Sequence, residues 1–163
     1  MSRLVSDLEA ALGGLVAEHR KLLEQVRAHE AALRAFDLKG MEMAAAQQEA
    51  TRLRITTWEN RRRAVVSQLA KALRLEPNVT LARLAALHPL RRDALLNLRD
   101  ELKGLAEQIA GRTKVSGRIA AAVLGHLNTA VRLLAGAVEK AGVYTKQGVP
   151  QVTRRIGVME AVG

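Results

Sequence analysis

MSRLVSDLEAALGGLVAEHRKLLEQVRAHEAALRAF, residues 1–36, decides the fold. Apolar or permissive side chains fall at Met1, Val5, Leu8, Leu12, Leu15, His19, Leu22, Val26, His29, Leu33 and Phe36, in steps that alternate four and three. That period is the seam of a long helix lying nearly parallel to its partners. Gly13 and Gly14 each weaken the helix by about 1 kcal/mol relative to Ala, and they allow a partner helix to come close. His19 and His29 read as half-buried polar residues that fix register. His29-Glu30 opens like a zinc-binding helix motif, but Leu33 stands where the second His belongs, so no metal site is expected.

Working outward, Asp37 is a good N-cap and Gly40 loosens the chain beside it, which predicts a turn at 36–39 and a second helix from about Leu38 to Leu73. The expected inner face of that helix is Leu38, Met41, Ala45, Gln48, Ile55, Val66, Leu69 and Leu73. Trp58, the only Trp, reads as a cover for the bundle edge. Pro77 breaks the pattern, Thr80 caps a short helix Leu81–Leu87, and Pro89 suits the first turn of the next helix.

From Pro89 a stripe of the same period runs through Leu95, Leu98, Leu102, Leu105, Ile109, Arg112, Ser116, Ile119, Val123, His126, Ala130, Leu133 and Ala137. Unbroken, residues 89–141 span about 80 Å, against about 50 Å for each earlier helix, so the third long helix is expected to overhang the other two. Its expected weak point is Gly111–Gly117. Beside the stripe runs a second apolar row, Leu124, Leu127, Val131, Leu134 and Val138, and Arg132 is the only charged residue within 119–138. A helix apolar on two faces needs two partners, which makes this row the candidate protein-binding surface. Other occupants for it are the segment 149–163 folded back, or a second copy of the chain.

The fold class is therefore all-α: an elongated antiparallel bundle of three long helices and one short one, with residues 1–142 as the bundle and 143–163 as a tail. Composition agrees. The chain has 28 Ala and 25 Leu but only 4 Ile, 1 Phe, 1 Trp and 1 Tyr, which disfavours sheet and leaves no aromatic platform for single-stranded nucleic acid. With no Cys, disulfides, thiolate metal sites and cysteine nucleophiles are all excluded. No phosphate loop, zinc motif or nucleophile elbow occurs, so neither catalysis nor a cofactor is expected. The net charge of +10 sits in residues 61–163, yet its Arg residues are dispersed, which argues against a nucleic-acid partner. The N-terminus lacks a secretory pattern, and the longest uncharged apolar run, Ile119–Val131, is 13 residues. These features predict a cytoplasmic protein without stable membrane insertion.

The layout resembles the FlgN family of flagellar type III export chaperones. The resemblance rests on the Asp37 turn, Trp58-Glu59-Asn60-Arg61 with its acidic-x-Arg pair, the Thr80-Leu81 start, the long last helix, and Tyr144-Thr-Lys-Gln-Gly148 after it. Where family members often carry Asn-x-x-Asn, this chain reads Lys114-Val-Ser-Gly117. The resemblance implies a chaperone that binds the terminal helical segment of hook–filament junction proteins, keeps it soluble and delivers it to the export gate, with Tyr144 as the gate-docking residue. Two rival classes are a basic helical nucleic-acid-binding protein and a coiled-coil protein that pairs with itself.

Overall fold

The computed structural model describes the backbone of residues 2–76 and 79–142 and the side chains of 3–76 and 79–137. Four α-helices form: α1 (Ser2–Ala35), α2 (Leu38–Ala72), α3 (Leu81–Ala86) and, after a 3₁₀ turn at Pro89–Arg91, α4 (Arg92–Gly142). No strand occurs among the described residues, so the fold is all-α. The chain divides into two units, Met1–Ile119 and Ala120–Gly163.

Side-chain caps set the starts of α2 and α3. The Asp37 carboxylate accepts a hydrogen bond from Gly40 N at 3.0 Å, and the Thr80 hydroxyl accepts from Arg83 N at 3.2 Å. At Gly40 a Cβ would crowd the Asp37 carboxylate in its capping position, so a larger residue there would make the cap shift. The ends of α1 and α2 share another device. Phe36 and Arg74 hold φ of 54° and 55°. Around them, Asp37 N donates to Ala32 O and Leu75 N to Ala70 O, with Phe36 N and Arg74 N donating to Leu33 O and Lys71 O. Both are Schellman turns built without glycine. Phe36, expected on the seam, instead stands at this turn and is 66% exposed. A non-glycine residue in the left-handed region costs about 1–2 kcal/mol, so Arg74→Gly is expected to raise stability by about 1 kcal/mol in urea denaturation.

Within the first unit α1 and α2 form an antiparallel hairpin. Glu18 meets Arg54, Gly14 meets Trp58, and His29 meets Gln48. Their backbones come close because the contact is made by small residues, among them Ala11, Gly14, Ala32, Ala44 and Ala70. The two glycines of α1 have separate roles. A Cβ on Gly14 would lie 2.5 Å from the Trp58 ring, whereas nothing lies within 4 Å of the Cβ position at Gly13. Gly14→Ala is expected to lower stability by about 1–3 kcal/mol through overpacking. Gly13→Ala is expected to raise it by about 1 kcal/mol. Thermal denaturation of the two variants tests the opposite signs.

The inner face of α2 is rotated from the expected one. Gln48 and Leu69 are buried as expected and Met41, Ile55, Val66 and Leu73 are half-buried, Val66 and Leu73 against the core, but Leu38 and Ala45 are exposed, and Ala44, Thr51, Val65 and Ala70 are buried as well. The middle of α2 is polar, so apolar spacing there does not mark the packed side. In the core, Leu69 and Leu95 join Val5, Leu8, Leu12, Val65, Leu84 and Ala85, and Val16, Leu23 and Leu105 make a second cluster.

From α1, Glu9 accepts from Arg91 Nη1 of the 3₁₀ turn at 2.6 Å, Arg20 donates to Glu101 of α4, and Glu30 accepts from Arg112 Nη1 of α4 at 3.1 Å. The sequence separations are 82, 81 and 82, so α4 runs parallel to α1 in constant register. By that offset Ala35, the last residue of α1, stands opposite Gly117. The stretch Gly111–Gly117 is continuous helix rather than a break.

Two buried carboxylates hold the first unit's helices together. Glu18 (7% exposed) accepts from Arg54 and Lys21, each at 2.8 Å. Glu30 (6% exposed) accepts from Arg34 and Arg112. The Arg54 and Lys21 hydrogen bonds hold the Glu18 carboxyl below the ordinary glutamate value of 4.5, and those from Arg34 and Arg112 do the same for Glu30, both against the opposing effect of burial. A depressed folded-state pKa stabilises above the unfolded value, and that stability is lost as pH falls through the folded one. Stability is thus expected to be flat above about pH 5 and to fall below about pH 4.5. Glu18→Gln and Glu30→Gln are each expected to lower the melting temperature at pH 7 and flatten this acid limb.

Candidate functional site: the exposed face of α4

The described part of the second unit is the continuation of α4, residues 120–142. Helix formation is unsurprising there, since Ala and Leu dominate and no proline interrupts. The large apolar side chains are not packed. Leu124, Leu127, Val131 and Leu134 of the flanking row are 62%, 55%, 63% and 67% exposed, and Leu133 of the principal stripe is 70% exposed. A buried leucine contributes roughly 1.5–3 kcal/mol relative to an exposed one, so five such side chains in water on one helix leave a large association energy unused. An 18-residue window of this helix has a mean hydropathy of 1.4 with none of it buried, which makes it long and apolar enough to cross a membrane by length and composition. The count of uncharged residues missed this because Arg132 interrupts the run without cancelling its hydropathy.

Of the expected client-binding residues, the structure thus brings Leu124, Leu127, Val131 and Leu134 onto one exposed row. The Val138 side chain and Tyr144 lie outside the described residues, as does the segment 149–163.

The other residues singled out in the sequence serve the scaffold. His19 Nδ1 lies 2.8 Å from Leu15 O, one turn back along α1, and donates to it. Gln48 Nε2 donates to His29 Nδ1 at 3.2 Å and to Gln25 O, pinning α2 against α1. Trp58 is half-buried against Gly14 with the Arg61 guanidinium 5.4 Å from its ring centroid. Glu59 pairs with Arg62 and Arg63 rather than with Arg61, because residues three and four along a helix share its face and the residue two along does not. The Arg62 hydrogen bond holds the Glu59 carboxyl below its ordinary value. Ser116, within the stretch where family members carry Asn, has a buried Oγ with no hydrogen-bond partner among the described residues.

Among the cavities formed by the described residues, two open to solvent near helix ends. One of about 460 Å³ lies at the hairpin tip, lined by Ala28, Ala31, Ala32, Ala35, Met43 and neighbours, and one of about 260 Å³ is lined by Val5, Leu87, His88, Pro89, Leu90 and Arg91. Neither gathers an acid–base pair. Among the described residues no group of three His, Asp or Glu side chains converges to hold a metal ion.

Reasoning from sequence did not single out Glu18 and weighed Glu30 only as part of a zinc motif, although each has a basic residue three or four positions on, Lys21 and Arg34, which is the available signal for an ion pair.

No curated protein and no solved structure matches the chain. A family model described as FlgN protein matches residues 1–151, a span that takes in the hairpin, the capped short helix and the whole of α4. Four helices in this order, an apolar row left uncovered on the last, and a family match over nearly the full length lead to one assignment: the chain belongs to the FlgN family of flagellar export chaperones.

Proposed function

We propose that the chain is a cytoplasmic chaperone for hook–filament junction proteins, binding their terminal amphipathic helix on the α4 row Leu124, Leu127, Val131, Leu134 and Val138 and delivering them to the flagellar export gate. The exposed row carries this reading. An amphipathic client helix laid along it becomes an added bundle member, and both apolar faces leave water together. The client's aggregation-prone segment is thereby kept soluble without chemistry, so the protein acts as a binding module and not as an enzyme. Tyr144 follows the same helix and is assigned to gate docking, by family likeness.

Isothermal titration of the protein with a peptide of the terminal segment of a junction protein tests the reading. Saturable one-to-one binding supports it. A peptide that does not bind, together with a sedimentation mass showing a stable dimer, favours the self-pairing coiled coil. For Tyr144→Ala, client affinity is retained and export is lost if the gate assignment holds.

A further inference from the structure

We propose that, without a client, the apolar face of α4 docks on anionic lipid bilayers as a helix lying in the membrane interface. At 3.6 residues per turn, Val123, Leu124, Leu127, Ala130, Val131 and Leu134 fall within one half of the helix circumference. Gly125, Asn128, Thr129, Arg132 and Gly136 occupy the other half. With its large aliphatic side chains gathered on that half, Leu133 alone among them standing outside it, such a helix is suited to lie at the headgroup boundary, although it also meets the length and composition for spanning.

Charge selects the lipid. From Gln108 to Val138 there is no Asp or Glu, while Arg112, Lys114, Arg118 and Arg132 are cationic. Arg112 is engaged with Glu30, and the other three have no carboxylate within 4 Å among the described residues. A helical stretch with an apolar face and cations, without acids from 108 to 138, is complementary to phospholipid headgroups of negative charge. A protein surface would have to supply acidic partners at matching positions, whereas an anionic bilayer offers them everywhere. The bilayer and the client of the proposed function then compete for one face, but bilayer binding requires only the exposure and charge described and does not depend on the client reading.

Flotation of the full chain with vesicles of phosphatidylcholine alone, and of phosphatidylcholine with phosphatidylglycerol, tests the proposal. The protein is expected to float with the anionic vesicles only and to be released by raised salt. Leu127→Asp with Leu134→Asp is expected to abolish flotation, while Leu53→Asp with Leu90→Asp, the same change in net charge at exposed sites elsewhere, retains it. Reversing Arg118 or Arg132 to Glu is expected to lower partitioning by about fivefold or more for each. The proposal is overturned if the native protein ignores anionic vesicles, if it floats equally with neutral ones, or if the Leu127/Leu134 variant floats like the native protein. A protein that binds the client peptide but neither vesicle type sinks the bilayer proposal and leaves the chaperone reading intact. The converse result does the opposite.

Discussion

Leu127→Asp combined with Leu134→Asp is expected to abolish client binding in calorimetry while leaving the melting temperature of the free protein within a few degrees of the native value. Both side chains are more than half exposed in the free chain, so the new carboxylates remain hydrated there. Residues seven apart on a helix share one side, so the pair interrupts the row at two successive places. On binding, each carboxylate would have to leave water opposite apolar client side chains with no cation in reach, a penalty of several kcal/mol per charge. Two such penalties exceed the roughly 8 kcal/mol that corresponds to micromolar affinity. A double variant that unfolds identifies the row as core. One that folds and still binds the client places the chaperone surface elsewhere.

Leu95→Asp, in the first turn of the same helix and within the first unit, is expected to give the opposite result. Leu95 is 0% exposed and packs among Leu8, Leu69 and Leu84. An unpaired carboxylate there has neither water nor a partner, and the chain is expected to lose its cooperative unfolding transition altogether. Leu95→Ala isolates the packing contribution, with an expected loss of about 2–5 kcal/mol in urea denaturation. If Leu95→Ala costs less than about 1 kcal/mol, the α1–α2–α4 core is not close-packed at this level. Two substitutions on one helix, alike in chemistry, thus separate a binding surface from a structural one.

Helix boundaries were legible in the sequence wherever a side chain announces them. Asp37 and Thr80 cap α2 and α3, and both starts fall where they were expected. The ends were legible too, since α1 stops at Ala35 before the turn expected at 36–39 and α2 at Ala72 beside the expected Leu73, but the left-handed positions, filled by Phe36 and Arg74, carry no sequence signal for that geometry. The α1 seam was readable because leucine and valine mark it. The packed side of α2 was not, because its hairpin contact runs through Ala44, Thr51 and Ala70, residues as common on surfaces as in cores. The α4 row was legible for the converse reason: Leu124, Leu127, Val131 and Leu134 are large and regularly spaced, and all four are exposed. The buried ion-pairing roles of Glu18 and Glu30 were not read, since a glutamate on a helix is ordinarily a solvated one.

The constant register between α1 and α4 bears on the order in which the chain assembles. Contacts within the hairpin close a two-residue connection, whereas each ion pair described above that joins α1 to α4 or to the 3₁₀ turn before it closes a loop of 81 or 82 residues. Loop closure of that length must precede any gain from the contacts it makes, so pairing of α1 with α2 is favoured as the early event and docking of α4 as the late one. During synthesis α1 and α2 emerge ahead of α4 and can pair first. The uncovered leucines emerge after both, when α1 is already engaged with α2, which shortens the time in which α1 and the apolar row are both exposed and able to collapse on each other.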